Sequence, residues 1–374
     1  MRPRRFLLLL LVSTLPVSLS AADLKVSEDD ALAKIAEETR KKFNLPGMCI
    51  ALLDGDRSVR VAAAGVRKVG DQTAMKTQDL CHLGSCTKAM TATMIACVIN
   101  DTRLEWESTV ADILPDIAKN AHEGYRKVTV RQLVNHTAGL PKDSKHMFGM
   151  SDKVSRTRNR RILFTKVLAA KPKSKPGEKY EYSNLGFMLA GLMAETVTGS
   201  SWRELMRKHL FKPLAMKSAG FGWPGKKDKV DQPWGHTSLF GLARPIQHDN
   251  PEVLGPAGRV HCSVADWARF ASLQMGHIPD GMKLTKDDLK EMLKDPVRDY
   301  SAGWIHLERP WAGGKARMHN GSNTMWHAVI WVAPEIDQAF LAVTNTGKAN
   351  AFQACDSAIS AMIVVEKQAA AKGE

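Results

Sequence analysis

The chain has 374 residues, 44% of them hydrophobic and 25% charged, and a formal net charge of +14. That length is enough to bury a large core and to build two intertwined subdomains. The positive excess comes without a zinc-finger, Gly-rich phosphate loop or aromatic RNA-binding motif, so no nucleic acid is expected as a partner; anionic cell-envelope material or membrane surfaces account for the charge better.

Met1 to Arg5 is cationic, Phe6 to Val12 is apolar, and Ser18-Leu19-Ser20-Ala21-Ala22 offers small residues for cleavage. This is the pattern of a secretory signal peptide over residues 1–22. The apolar run falls short of the roughly 20 residues that cross a bilayer, no later stretch reaches that length, and no Cys near the cleavage point could carry a lipid. The expectation is an exported protein, periplasmic or extracellular, without a stable membrane anchor. Cys49, Cys81, Cys86, Cys97, Cys262 and Cys355 show no Cys-x-x-Cys spacing and sit mostly in apolar runs, which predicts buried thiols. The twelve His show no ligand spacing, so neither a metal nor another cofactor is expected.

Ser27 reads as an N-cap before Glu28, Asp29 and Asp30, with Leu32, Ile35 and Ala36 at helical spacing. Pro46-Gly47 ends that helix. Met48 to Leu53 and Ser58 to Gly65 flank Asp54-Gly55, a turn signal between β-prone runs that predicts a hairpin. From Ala89 to Ile99 the residues are small or apolar almost all round, the mark of a buried helix. Further helices are predicted over 128–134, 187–197, 202–210 and, capped by Ser263, 264–270. Lys142 to Lys179, with Arg156, Arg158, Arg160 and Arg161, reads as a solvated excursion, with a lid or an anion-binding patch as the alternative. Four strands follow near 302–307, 316–321, 327–332 and 339–344, then a helix over 350–365.

The fold class expected from this order is α+β, an α/β sandwich: an antiparallel five-stranded sheet flanked by helices, with the first and last helices on one face, plus a helical subdomain. The expected sheet subdomain takes residues 23–108 and 263–366, the helical subdomain 109–262, and 367–374 is a frayed tail.

Ser85 and Lys88 lie i, i+3 at the mouth of the buried helix, so they share a face with a rise of roughly 4.5 Å between them. A serine hydroxyl becomes a useful nucleophile when a neighbouring base assists removal of its proton. A charged Lys beside a low-dielectric core is rare enough to ask for a reason. Cys86, one residue on from Ser85, is turned about 100° around the helix, away from Lys88, and is not a candidate nucleophile.

Ser85-Cys86-Thr87-Lys88, Tyr182-Ser183-Asn184 and His319-Asn320-Gly321, in that order, resemble the three motifs of the penicillin-recognising serine hydrolases, in the branch containing class C β-lactamases, D-alanyl-D-alanine carboxypeptidases and related esterases. Leu45-Pro46-Gly47, Thr129 to Pro141, Phe211 to Met216 and Gly255 to Phe270 are similar as well, so the resemblance runs through residues 27–365. It implies the β-lactamase/transpeptidase-like fold and catalysis by Ser85, Lys88 and Tyr182, with Ser85 forming an acyl-enzyme that water releases. It also implies an oxyanion hole from the backbone N–H groups of Ser85 and Ser322, substrate positioning by Asn184, His319 and Gly321, and a small-molecule or peptide substrate. The resemblance equally accommodates a penicillin-binding sensor or scaffold that acylates without efficient turnover.

Either Lys88 or Tyr182 takes the proton. Lys88 as a neutral base at pH 7 needs a fall of about three pH units from 10.4, roughly 4 kcal/mol, so Tyr182 supported by a cationic Lys88 is the preferred reading of the sequence. His319 stands where the related β-lactamases have the Lys of Lys-Thr-Gly. This favours an ester, amide or D-amino-acid peptide over a β-lactam, and predicts that carboxylate-bearing substrates need His319 protonated. Asn345-Thr346-Gly347, closer in letters to Lys-Thr-Gly, reads as a turn.

Overall fold

The computed structural model describes residues 24–55, 57–150, 153–239 and 241–372. The predicted signal segment, residues 1–22, lies outside them. The central sheet is built from β1 (Lys25–Glu28), β2 (Gly47–Leu53), β3 (Ser58–Gly65), β4 (Tyr300–Ser301), β5 (Trp304–Arg309), β6 (Gly314–Ser322), β7 (His327–Ala333) and β8 (Gln338–Thr344). Their spatial order is β1-β3-β2-β8-β7-β6-β5-β4. The sheet is therefore eight-stranded and mixed, not five-stranded and antiparallel, because β1 runs parallel to β3 while the other pairs are antiparallel. Two of the unexpected strands are the edges. The four residues of β1 are all exposed and the two of β4 are both buried, so neither carries an alternation from which a strand could be read.

The chain's two ends meet at the β2/β8 pair, where Ala51 faces Leu341. All seven residues of β2 are buried, so both faces of the sheet are covered. Alternation sends Met48, Ile50 and Leu52 to one face and Cys49, Ala51 and Leu53 to the other. Against the first face lie α1 (Asp30–Lys42) and the last helix, Ala351–Lys372, through Leu32, Ile35, Ala358, Ile359 and Met362. Against the second lies a larger core containing α2 (Thr87–Ile99) and the helices of the middle of the chain.

Two boundaries differ from expectation. Asp29, not Ser27, caps α1: its Oδ1 accepts from Leu32 N at 2.8 Å, while Ser27 pairs in β1. The last helix continues beyond Val365 to Lys372 rather than fraying, its final turns exposed. The predicted turn Asn345-Thr346-Gly347 follows β8, with Asn345 and Thr346 buried, Gly347 half-buried against Thr324 in the loop after β6, and Gly347 N donating to His236 O.

Candidate active site

The nucleophile turn is held by backbone contact. Gly84–Cys86 forms one 3-10 turn that runs into α2, and β6 crosses it so closely that a Cβ on Gly321 would sit 2.1 Å from Leu83 O and 2.6 Å from Ser85 N. Gly84, at φ +50°, meets Ser322 N in the same way. Only glycine allows both approaches. They set the backbone of Ser85 beside that of Gly321 and Ser322, the segments that carry the expected oxyanion donors.

The buried character of α2 is complete: every residue from Thr87 to Val98 is inaccessible. Its polar atoms are paired, with Thr91 Oγ1 donating to Pro256 O at 2.8 Å and Thr93 Oγ1 to Ala89 O at 2.9 Å. Lys88, fully buried, reaches three oxygens: Ser85 Oγ at 3.0 Å, Asn184 Oδ1 at 2.8 Å and Ala257 O at 2.7 Å. Tyr182 Oη donates to Ser85 Oγ at 2.8 Å, and Lys88 Nζ also lies 4.8 Å from the Tyr182 ring centre.

Tyr182 and Asn184 are placed by a local cap. Ser183 is the N-cap of the helix Asn184–Thr198; its Oγ accepts from Gly186 N at 3.2 Å and donates to Pro141 O at 2.7 Å. Ser183 N in turn donates to His136 Nδ1 at 3.1 Å, tying the cap to the Thr129 to Pro141 segment. That segment begins with its own capping box, Thr129 with Gln132.

The electrostatics favour Lys88 over Tyr182 as a proton acceptor near neutral pH. Desolvation lowers Lys88 from its ordinary 10.5 to about 7, opposed by the Asp143 carboxylate that accepts from Asn184 Nδ2 at 2.8 Å. The same burial pushes the Tyr182 phenol up, only partly offset by its hydrogen bond to Ser85. Above about pH 7 the pair is a neutral amine beside a neutral phenol. The Cys86 thiol is also pushed up by burial, and its sulfur lies against His319 O and Ala328 O, away from the cleft. All six cysteines are buried and unpaired.

His319 does face the cleft, but not as a cation. Desolvation and then the nearby Lys88 lower it to about 3, so the expected protonated imidazole is not available to a substrate carboxylate. Tyr300 Oη stands between His136 Nε2 at 3.1 Å and His319 Nε2 at 3.5 Å. Because His136 Nδ1 accepts from Ser183, its Nε2 carries the proton, leaving the Tyr300 hydroxyl to donate to His319.

The cleft over Ser85 has a volume of about 850 Å³ and is edged by Lys142, Lys145, Phe148, Leu254 and Met325. So part of the Lys142 to Lys179 excursion borders the site. Three of its arginines are paired elsewhere: Arg156 with Glu252, Arg160 with Glu195 and Arg161 with Asp116. Sequence reasoning missed Ala257, whose contribution is a main-chain carbonyl that no side-chain pattern reports, and Asp143, one acid in a basic stretch.

The Beta-lactamase family model matches residues 32–360. Penicillin-binding protein 4 of Amycolatopsis lactamdurans is 26% identical over 329 residues, which cover 84% of each chain. Unguisins hydrolase of Aspergillus campestris is 26% identical over 262 residues, 67% of this chain but 48% of its own, so the chain spans about half of that relative. Among solved structures, D-amino acid amidase from Ochrobactrum anthropi SV3, complexed with L-phenylalanine amide, has the same fold at a TM-score of 0.73 and 20% identity, covering 90% of this chain and 99% of that one. The match takes in both the sheet and the helices around Ser85, and on that ground the chain belongs to the Beta-lactamase family of serine hydrolases.

Proposed function

We propose that this protein is an exported hydrolase in which Ser85 attacks an ester, an amide or a D-amino-acid peptide, with β-lactams a less favoured substrate, and passes through an acyl-enzyme. The observation that carries the reading is the threefold contact of Lys88. A neutral amine has two N–H bonds and one lone pair. Asn184 Oδ1 and Ala257 O can only accept, so they take both N–H bonds and the lone pair is left facing Ser85 Oγ.

Ser85 then gives its proton to Lys88 as the Oγ–carbon bond forms, and the N–H groups of Ser85 and Ser322 take up the charge developing on the carbonyl oxygen. Tyr182 supplies a proton to the leaving group as its bond to carbon breaks, and the Lys88 ammonium restores it. Water repeats the sequence in reverse to release the acid. A neutral His319 favours substrates without a carboxylate at that wall. Lys142 and Lys145 at the rim, with the overall positive charge, favour anionic envelope material as the carrier of the scissile bond. The named hydrolase and amidase relatives support hydrolysis of an amide-type bond. Export rests on the sequence of residues 1–22 and is tested by the N-terminus of the protein recovered outside the cytoplasm.

The test is a panel of a p-nitrophenyl ester, a D-amino-acid p-nitroanilide, a chromogenic cephalosporin and a fluorescent penicillin, each with wild type and Ser85→Ala. Turnover that vanishes in Ser85→Ala, with an acyl mass on the peptide carrying Ser85, supports the proposal. Full hydrolysis by Ser85→Ala refutes it.

A further inference from the structure

Beside the cleft, Asp249 is almost fully buried and accepts four hydrogen bonds. Its Oδ2 receives His82 Nε2 and Arg259 Nε, both at 3.1 Å, and its Oδ1 receives Asn323 Nδ2 at 3.1 Å and Asn250 N at 2.7 Å. The arms lead to the two sides of the expected oxyanion hole. His82 Nδ1 accepts from Gly84 N at 3.1 Å, immediately before Ser85. Asn323 immediately follows Ser322, and its Oδ1 accepts from Met325 N at 3.1 Å. Since Gly84 and Ser322 are already in backbone contact, a shift in either arm moves one N–H donor relative to the other.

The chemistry suits a permanent carboxylate. All four partners are donors: His82 must donate through Nε2 because its Nδ1 accepts, and Asn323 must donate through Nδ2 because its Oδ1 is held by Met325. Burial opposes the charge, but His82, Arg259 and Asn323 together keep Asp249 well below the usual carboxylate range. An amide of the same shape has one acceptor oxygen, so it satisfies one arm and meets the other with a donor facing a donor. Arg259 is itself held by Glu252 at 2.9 Å, so an amide oxygen turns toward Arg259 and His82, and the Asn323 arm is the one lost.

We propose that Asp249 is a positioning residue that sets the spacing of the Ser85 and Ser322 N–H groups through His82 on one side and Asn323 on the other. It touches no reacting atom, and its effect falls on the tetrahedral state rather than on substrate binding. The proposal rests on the assignment of Ser85 as nucleophile.

The experiment compares wild type, Asp249→Asn, Asn323→Ala and the double variant on p-nitrophenyl acetate, with an arylboronic acid as the tetrahedral mimic and rates expressed per folded molecule. The expected result is a kcat about 10- to 100-fold lower in Asp249→Asn, KM within about threefold of wild type, and boronate affinity weakened in step with kcat. Asn323→Ala shows the same split, and the double variant is no worse than Asp249→Asn, because both cut one link. A folded Asp249→Asn with wild-type kcat and boronate affinity overturns the proposal, as does an activity loss wholly explained by the folded fraction. If Asp249→Asn does not fold, wild-type kcat in Asn323→Ala overturns it equally. Ser85→Ala in the same assay separates a wrong nucleophile from a wrong positioning residue.

Discussion

Replacing Lys88 by Met isolates the energetic consequence of burying this amine. Lys88 titrates at about 7 in the fold and at its ordinary 10.5 in the unfolded chain, so below pH 7 the folded state carries a charge penalty of about 5 kcal/mol. Between those two values the unfolded chain binds more protons, and stability rises with pH; above 10.5 the penalty is gone. Across the window from pH 6 to pH 10 the wild type therefore gains about 4 kcal/mol relative to Lys88→Met, whose thioether does not titrate. The hydrogen bonds to Asn184 and Ala257 lost in the variant offset both ends of the window alike. His319, lowered to about 3, stays neutral throughout. The assay is urea unfolding of both proteins at pH 6 and pH 10, followed by tryptophan fluorescence. If the two stabilities change with pH in parallel, to within about 1 kcal/mol, Lys88 is charged in the folded protein at neutral pH and cannot be the base.

The acylation rate of a neutral p-nitrophenyl ester, followed by stopped flow, should fall tenfold per pH unit below about 7, where Lys88 gains its proton, and level off above. A rate that climbs to pH 10 would point instead to the Tyr182 phenol. Gly321→Ala places a Cβ against Leu83 O and Ser85 N and drives β6 off the nucleophile turn, so a loss of about 1–3 kcal/mol and at least a tenfold drop in kcat are expected. Thermal unfolding beside kinetics checks this, and wild-type behaviour in both rules out the backbone contact. Glu195→Gln leaves the buried Arg160 without its carboxylate and turns an amide donor toward Arg160 Nε, and should cost about 3–5 kcal/mol by denaturant titration with kcat per folded molecule unchanged. A cost under 1 kcal/mol would mean the pair is solvated.

What could be read along the chain was whatever depends on near neighbours. The all-round apolar run after Lys88 predicts the burial of α2, Ser85 and Lys88 at i, i+3 share a face, Asp54-Gly55 closes the hairpin, and Thr129 and Ser263 cap their helices. The joining of the two ends into one sheet was also legible, because β2 and β8 are apolar on both faces and need partners. The edge strands β1 and β4 were not, since they are too short to show a period.

Only the tertiary structure shows the burial that lowers Lys88, raises Tyr182 and keeps His319 neutral. A pKa in a protein interior sums desolvation and charge over all surrounding atoms, and the segments that enclose Lys88 are distant in the chain, its partners Asn184 and Ala257 lying 96 and 169 residues away. The same holds for Asp249, an unremarkable acid between His248 and Asn250 until folding sets His82, Arg259 and Asn323 around it. Residue types and local spacing determine what chemistry is present. The dielectric and the hydrogen-bond partners that tune it are properties of packing between distant segments, which neighbouring residues in the chain do not encode.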